Sequence, residues 1–110
     1  MRRAVRYHAS FTNDLVERVR WLRQYRPPDQ RRSLRTALAA FAGRIAAFPA
    51  LGEEVERRGS RSYRRFTIGS PLPYVVWYHY DLANTRAPVW LLMLMHEDQD
   101  RERFSPDRFE

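Results

Sequence analysis

The sequence contains no cysteine, which excludes disulfides and thiolate metal sites and leaves packing alone to hold 110 residues together. That length suffices for one core and not for two. No apolar run approaches the ~20 residues of a membrane span. The opening Met1-Arg-Arg-Ala-Val-Arg-Tyr7 is basic but has no apolar stretch of a secretion signal behind it, so a cytoplasmic, soluble protein with no membrane partner is expected. Glycine is scarce and scattered, at positions 43, 52, 59 and 69. It forms no phosphate-cradling loop, no dinucleotide fingerprint and no Gly-x-Ser-x-Gly elbow, and no cofactor is expected. The serines carry no local signature of a nucleophile. Lysine is missing as well: all 20 basic residues are arginine, a usage that a GC-rich genome also favours, and against 13 acids they give a net charge of +7. Such a charge draws a small domain to nucleic acid, to ribosomes or to an acidic protein.

What is present shows two changes of period. Arg3-Ala-Val-Arg-Tyr-His-Ala9 alternates, setting Val5, Tyr7 and Ala9 against Arg6 and His8, and reads as a strand with one solvated side. From Ser10, read as an N-cap with Asp14 complementing the positive helix end, Phe11, Leu15, Val19 and Leu22 recur at helical spacing as far as Arg26, where Pro27-Pro28 makes a corner. Asp29 reads as the cap of a second helix, with Leu34, Leu38, Phe41, Ile45 and Phe48 in one stripe and Pro49-Ala-Leu-Gly52 as its stop. The two helices should form an antiparallel hairpin that buries Leu15, Val19, Leu22, Leu34, Leu38, Phe41, Ile45 and Phe48.

Glu53-Glu-Val-Glu-Arg-Arg-Gly-Ser60 is charged and aperiodic, and reads as a surface connection. Three strands follow it: Tyr63-Arg-Arg-Phe66, Leu72-Pro-Tyr-Val-Val-Trp-Tyr-His-Tyr80 and Pro88-Val-Trp-Leu-Leu-Met-Leu-Met-His96, the last two joined by the turn-forming Asp81-Leu-Ala-Asn-Thr-Arg-Ala87. Alternation sets Tyr74, Val76, Tyr78 and Tyr80 against Val75, Trp77 and His79, while the final strand is apolar on both faces up to His96. The expectation is an α+β domain spanning 1–110: an antiparallel four-stranded sheet with the helical hairpin over one face and chain termini or a partner over the other. Reversals of direction place either neighbour of the first strand antiparallel to it. The polar segment 97–110 reads as a short helix or tail.

Chemistry is sparse. His79 and His96, on adjacent strands, could join Glu97 or Asp98 in a mixed nitrogen and oxygen metal site, but the spacing is not diagnostic and hydrogen-bonded strand-end or surface histidines are the simpler reading. Arg64 and Arg65 point to opposite faces of their strand, so only one of them joins a given basic site for phosphate or for a partner's carboxylates; a solvated strand edge is an equal alternative. The arginines of the second helix read as a solvated face.

Taken in order, strand, helical hairpin, charged connection, three strands and a histidine-ended segment resemble the RelE/ParE superfamily of toxins from bacterial toxin–antitoxin systems. Phe48-Pro-Ala-Leu-Gly52 resembles the family's ending of helix two, Tyr63-Arg-Arg-Phe66 its arginine-bearing strand, Pro73-Tyr-Val-Val-Trp-Tyr78 its Tyr-x-x-x-Tyr strand, and Leu92-Met-Leu-Met-His96 its final strand. The resemblance implies a β-α-α-β-β-β order and a cognate acidic antitoxin. It leaves the target open between DNA gyrase, poisoned by ParE-like members, and the ribosome, where RelE-like members cleave messenger RNA. A toxin relic that only binds antitoxin is a third reading, and the oligomeric state is open between a homodimer and a toxin–antitoxin hetero-oligomer.

Carried over residue by residue, the resemblance keeps one basic position of the nucleolytic members as Arg64, places Val75 where they have arginine, Asp98 near a second arginine, and Phe104 near their C-terminal tyrosine. It therefore implies a ParE-like toxin without a catalytic centre of its own, with Arg64 and His96 the catalytic candidates should it be a ribonuclease. The residues expected to contact target or antitoxin are Arg64, Arg65, Trp77, His79, His96, Arg101 and Arg103.

Overall fold

The computed structural model of the protein describes residues 2–68, 74–97 and 104–109. Along the chain run β1 (Val5–Tyr7), α1 (Ala9–Tyr25), α2 (Pro28–Ala47), a 3-10 turn (Pro49–Leu51), β2 (Glu53–Arg58), β3 (Arg61–Ile68), β4 (Tyr74–Asp81), β5 (Val89–His96) and a second 3-10 turn (Pro106–Phe109). The fold is α+β, as expected, with a sheet of five strands in the order β1-β5-β4-β3-β2 instead of four.

The additional strand is the charged connection. Its side chains alternate poorly because β2 is an edge strand, where charge and a bulge at Val55 discourage pairing with other chains. Its partner is specified by opposite charge instead of apolarity: Glu53 stands opposite Arg65 and Glu54 opposite Arg64. Gly59, at φ +59°, makes the β2–β3 turn. One more strand also reverses the count of directions, so β1 lies parallel to β5, pairing Val5 with Val89 and Tyr7 with Leu91, where an antiparallel neighbour was expected.

The helical hairpin covers one face. Phe11 and Leu22 of α1 and Leu34, Phe41 and Ile45 of α2 are buried with Ile68, Tyr74, Val76, Tyr78, Tyr80, Val89, Leu91 and Leu94, and Leu15 and Leu38 pack at the margin. Phe41 stacks on Phe66 at 5.4 Å and meets Tyr78 edge-on. Phe48 departs from the expected stripe: it is 71% exposed, because α2 ends at Ala47 and the backbone turns before Phe48 can face the sheet. Val19 is half-buried.

Capping also differs from the sequence reading. The α1 N-cap is His8, whose Nδ1 accepts a hydrogen bond from the Ser10 amide at 3.1 Å, so Ser10 is inside the helix. Asp14 accepts from the Leu94 amide at 3.0 Å, tying α1 to β5 beyond the point where the short β1 stops. Pro28 takes the first position of α2, where a missing N–H costs nothing, and Asp29 sits in the first turn instead of at the cap.

The opposite face is closed by the chain itself. Val75, Trp77, Tyr63, Leu92, Met93 and Met95 form a second buried cluster, and Phe109 and Phe104 lie against it. A bulge beside Trp77 puts Leu92 and Met93 on this same side, which is how β5 is apolar towards both faces. Phe104 stacks on Trp77 at 4.3 Å and Phe109 meets the His8 ring edge-on at 4.9 Å. Of the expected third strand, Leu72 and Pro73 lie outside the described residues; β4 starts at Tyr74.

The acidic side chains of the β2–β3 ribbon predict a pH dependence. Glu54 accepts hydrogen bonds from the Ser62 hydroxyl and the Arg57 guanidinium, which hold its carboxyl below the ordinary 4.5. A carboxylate lowered in the folded state contributes stability that is present above 4.5 and lost as pH falls through its folded value. Thermal melting across this acid range should therefore show a falling midpoint, with a shallower fall in Glu54→Gln. Equal slopes in both proteins would remove Glu54 as a cause.

Candidate functional site

The expected contact residues are divided by the pleat. Arg65, Trp77 and His79, with Tyr63, share the face opposite the helices, because Tyr63 pairs with His79 and Arg65 with Trp77 across the β3–β4 ladder. The Arg65 guanidinium lies 5.7 Å over the Trp77 ring and is paired with Glu53 at 3.1 Å, while His79 is buried edge-on to Tyr63 at 5.2 Å. A cleft of about 240 Å³ beside Arg65 is lined by Glu53, Phe66, Thr67 and Val75. Its charged groups neutralise one another, and Val75 adds an apolar side chain where the nucleolytic pattern would have a cation.

Arg64 faces the other way and is a structural tie. Its Nη1 donates to the carbonyls of Gly52 at 2.7 Å and Ala50 at 3.1 Å, and its Nε donates to the Ser62 hydroxyl at 2.9 Å. Glu54 lies 3.6 Å away, and the Arg64 side chain is only 15% exposed. The same turn is held from below by Tyr78, whose hydroxyl donates to the Pro49 carbonyl at 2.7 Å and accepts from the Gly52 amide at 2.8 Å. Burial pushes the Tyr78 phenol up to about 12, so it stays neutral and able to donate. This hydrogen-bonding hub shapes the turn between α2 and β2.

His96 is distant from His79. It pairs with Tyr74 at one end of β4, while His79 pairs with Trp90 five residues along that strand, roughly 17 Å away at strand rise. The His96 ring packs edge-on against Tyr74 at 5.6 Å, on the side of the sheet under the helices. Among the described residues no three histidine or acidic side chains converge in a way that could hold a metal ion. Arg101, Arg103 and Asp98 lie outside the described residues.

The sequence reading missed the Gly52–Tyr78–Arg64 hub and the docking of Phe104 and Phe109. The first had a faint signal, a glycine three residues after the proline that ends the helical pattern. The second had a clearer one: two phenylalanines in a segment otherwise polar need a place to be buried.

Among the described residues no helix is long and apolar enough to cross a membrane. No curated protein matches the sequence. A sequence model for the ParE toxin of the type II toxin-antitoxin system parDE matches residues 5–101, from β1 to beyond β5. With nearly the whole chain matched, and with a helical hairpin on a mixed sheet ending in His96, the protein belongs to the ParE toxin family of type II toxin–antitoxin systems, whose members are partnered by an antitoxin.

Proposed function

We propose that this toxin arrests growth by binding and inhibiting DNA gyrase, and that it does so without cleaving RNA. The observation that carries the reading is the state of Arg64. That guanidinium is the one cation retained from the nucleolytic pattern, and its donors are engaged by two turn carbonyls and a serine hydroxyl. Phosphodiester cleavage builds negative charge on phosphate oxygens, and each absent donor raises the barrier by on the order of 3 kcal/mol. Val75 cannot replace one, and Arg65 is neutralised by Glu53. A mechanism based on binding needs none of these groups.

Expression of the protein alone should arrest growth. Toeprinting on translating ribosomes should then show no new messenger RNA ends, while a gyrase supercoiling assay shows inhibition. Codon-specific cleavage that disappears in His96→Ala would reverse the choice in favour of a ribosome-dependent ribonuclease. Inactivity in both assays, with no arrest, would leave an antitoxin-binding relic.

A further inference from the structure

We propose that the tip of the helical hairpin is a docking surface for duplex DNA, held through its phosphates without regard to sequence, and that it is so whichever cellular machine the toxin stops. Charge is concentrated there. Residues 9–47 carry eight arginines and three acids, an excess of five, whereas the rest of the chain has twelve arginines against ten acids. Seven of the eight fall between Arg18 and Arg35, on the two half-helices that meet at the Pro27-Pro28 corner, and Asp29 is the one acid in that stretch. The fold makes no use of this charge. Among the described residues no arginine of the hairpin is in an ion pair, and Arg20, Arg23, Arg32 and Arg35 are exposed without a hydrogen-bond partner for their side chains. The arginines of the sheet differ: Arg57, Arg58, Arg64 and Arg65 all face carboxylates of their own chain. Arg31 and Arg32 also stand in the first turn and a half of α2, at the positive end of a helix, where cations are disfavoured. Arginines that cost the helix stability and pair with nothing in the chain are placed for an external anion.

The form of the patch selects the occupant. Arg18 and Arg26 lie 5.2 and 5.1 Å from the centre of the exposed Trp21 ring, which holds two guanidiniums on one side chain. Their N–H edges stay open to phosphate oxygens, which arginine binds as a bidentate fork. With guanidiniums over it, the ring is not a platform for unstacked bases, and this argues against a single strand. Spacing argues the same way. From residue 18 to residue 26 the helix covers about 12 Å at a rise of 1.5 Å per residue, and over that length a duplex presents about seven backbone charges and a single strand about half as many. Seven arginines match the duplex. The cations are also preorganised, because Arg26 and Pro27 alone separate α1 from α2 and the guanidiniums project from regular helix instead of loop. A second copy of this chain is a poor occupant, since tip against tip sets arginine against arginine.

The test is fluorescence anisotropy with the purified full-length protein and a labelled mixed-sequence duplex of about 20 base pairs. At about 50 mM salt the Kd should be micromolar, and log affinity should fall against log salt with a slope of about −4.5 to −6, as roughly five to seven neutralised phosphates require. The triple change Arg23→Gln, Arg32→Gln, Arg35→Gln should weaken binding by about tenfold or more and flatten the slope by about 3. The same loss of charge outside the hairpin, Arg6→Gln, Arg57→Gln, Arg86→Gln, should leave affinity within about threefold and the slope within about 1 of the parent. Glutamine suits a helix about as well as arginine, so the tip variant should keep its fold. Circular-dichroism melting checks both triples, and for one that has lost its fold the single changes Arg32→Gln and Arg57→Gln are compared instead. No binding of the duplex, a slope shallower than about −2, or equal losses in the two triples would overturn the inference. A single strand or an RNA of the same length bound more tightly than the duplex would overturn the assignment to duplex DNA, and competition by poly-glutamate at equal charge concentration would make the partner an acidic protein instead. Gyrase inhibition by a toxin that binds no DNA would leave the proposed function standing and remove this inference alone.

Discussion

Replacing Gly52 by alanine should cost about 3 kcal/mol, a large share of what a domain of this size has to lose. A Cβ at this position would stand 2.5 Å from the Arg65 carbonyl and 2.8 Å from the Tyr78 hydroxyl. The first neighbour is backbone in the middle of a ladder, and the second is a buried phenol fixed by two hydrogen bonds, so neither gives way cheaply. The backbone at Gly52 has φ −82°, which any residue adopts, and the cost is therefore steric. Gly43→Ala makes a useful contrast. Its Cβ would meet only the far end of the Arg2 side chain at 3.7 Å, and a helical glycine replaced by alanine should gain roughly 0.5–1 kcal/mol. Urea denaturation of both variants checks the pair; a Gly52→Ala protein within about 1 kcal/mol of the parent would mean that the turn is looser than the contacts imply.

Arg64→Ala should be nearly as damaging, by about 2–3 kcal/mol, because it removes a charged donor from two carbonyls and a hydroxyl. This bears on how activity data are read. Loss of toxicity in Arg64→Ala would follow from a displaced turn even if the guanidinium never touched a target. Arg64→Lys separates the two effects: a lysine supplies the charge but cannot bridge both carbonyls and the serine at once, so stability should fall by an intermediate amount. If both substitutions abolished toxicity while leaving the denaturation midpoint unchanged, Arg64 would be a contact residue and the structural account would be wrong.

Those two positions also illustrate what could be read from the chain beforehand. The hairpin was legible because its apolar residues recur over ten turns or so of helix, and Leu22, Leu34, Phe41 and Ile45 are buried where the spacing puts them. The alternation of β4 was legible for the same reason. Phe48 was not, since the spacing says which face a residue would occupy in a continued helix and not where the helix stops. The strand β2 was hidden because its pairing is written in opposite charges across the ladder, Glu53 to Arg65 and Glu54 to Arg64, and a pattern search for apolar alternation passes over it. That one omission propagated into the direction of β1. For the site, strand alternation divided Arg64 from Arg65 correctly, yet which of them is tied down depends on a turn that only three-dimensional proximity brings to it.

The parallel pairing of β1 with β5 reaches into the time order of folding. Arg3 donates to the carbonyl of Ala87, 84 residues away, at the same end of the molecule where β1 joins the sheet. Such a contact closes nearly the whole chain into a loop, whereas the helical hairpin is built from neighbours in sequence and can assemble early. During synthesis the hairpin and its eight arginines emerge well before β5 exists, so the cationic helices of a nascent toxin precede the sheet they will cover.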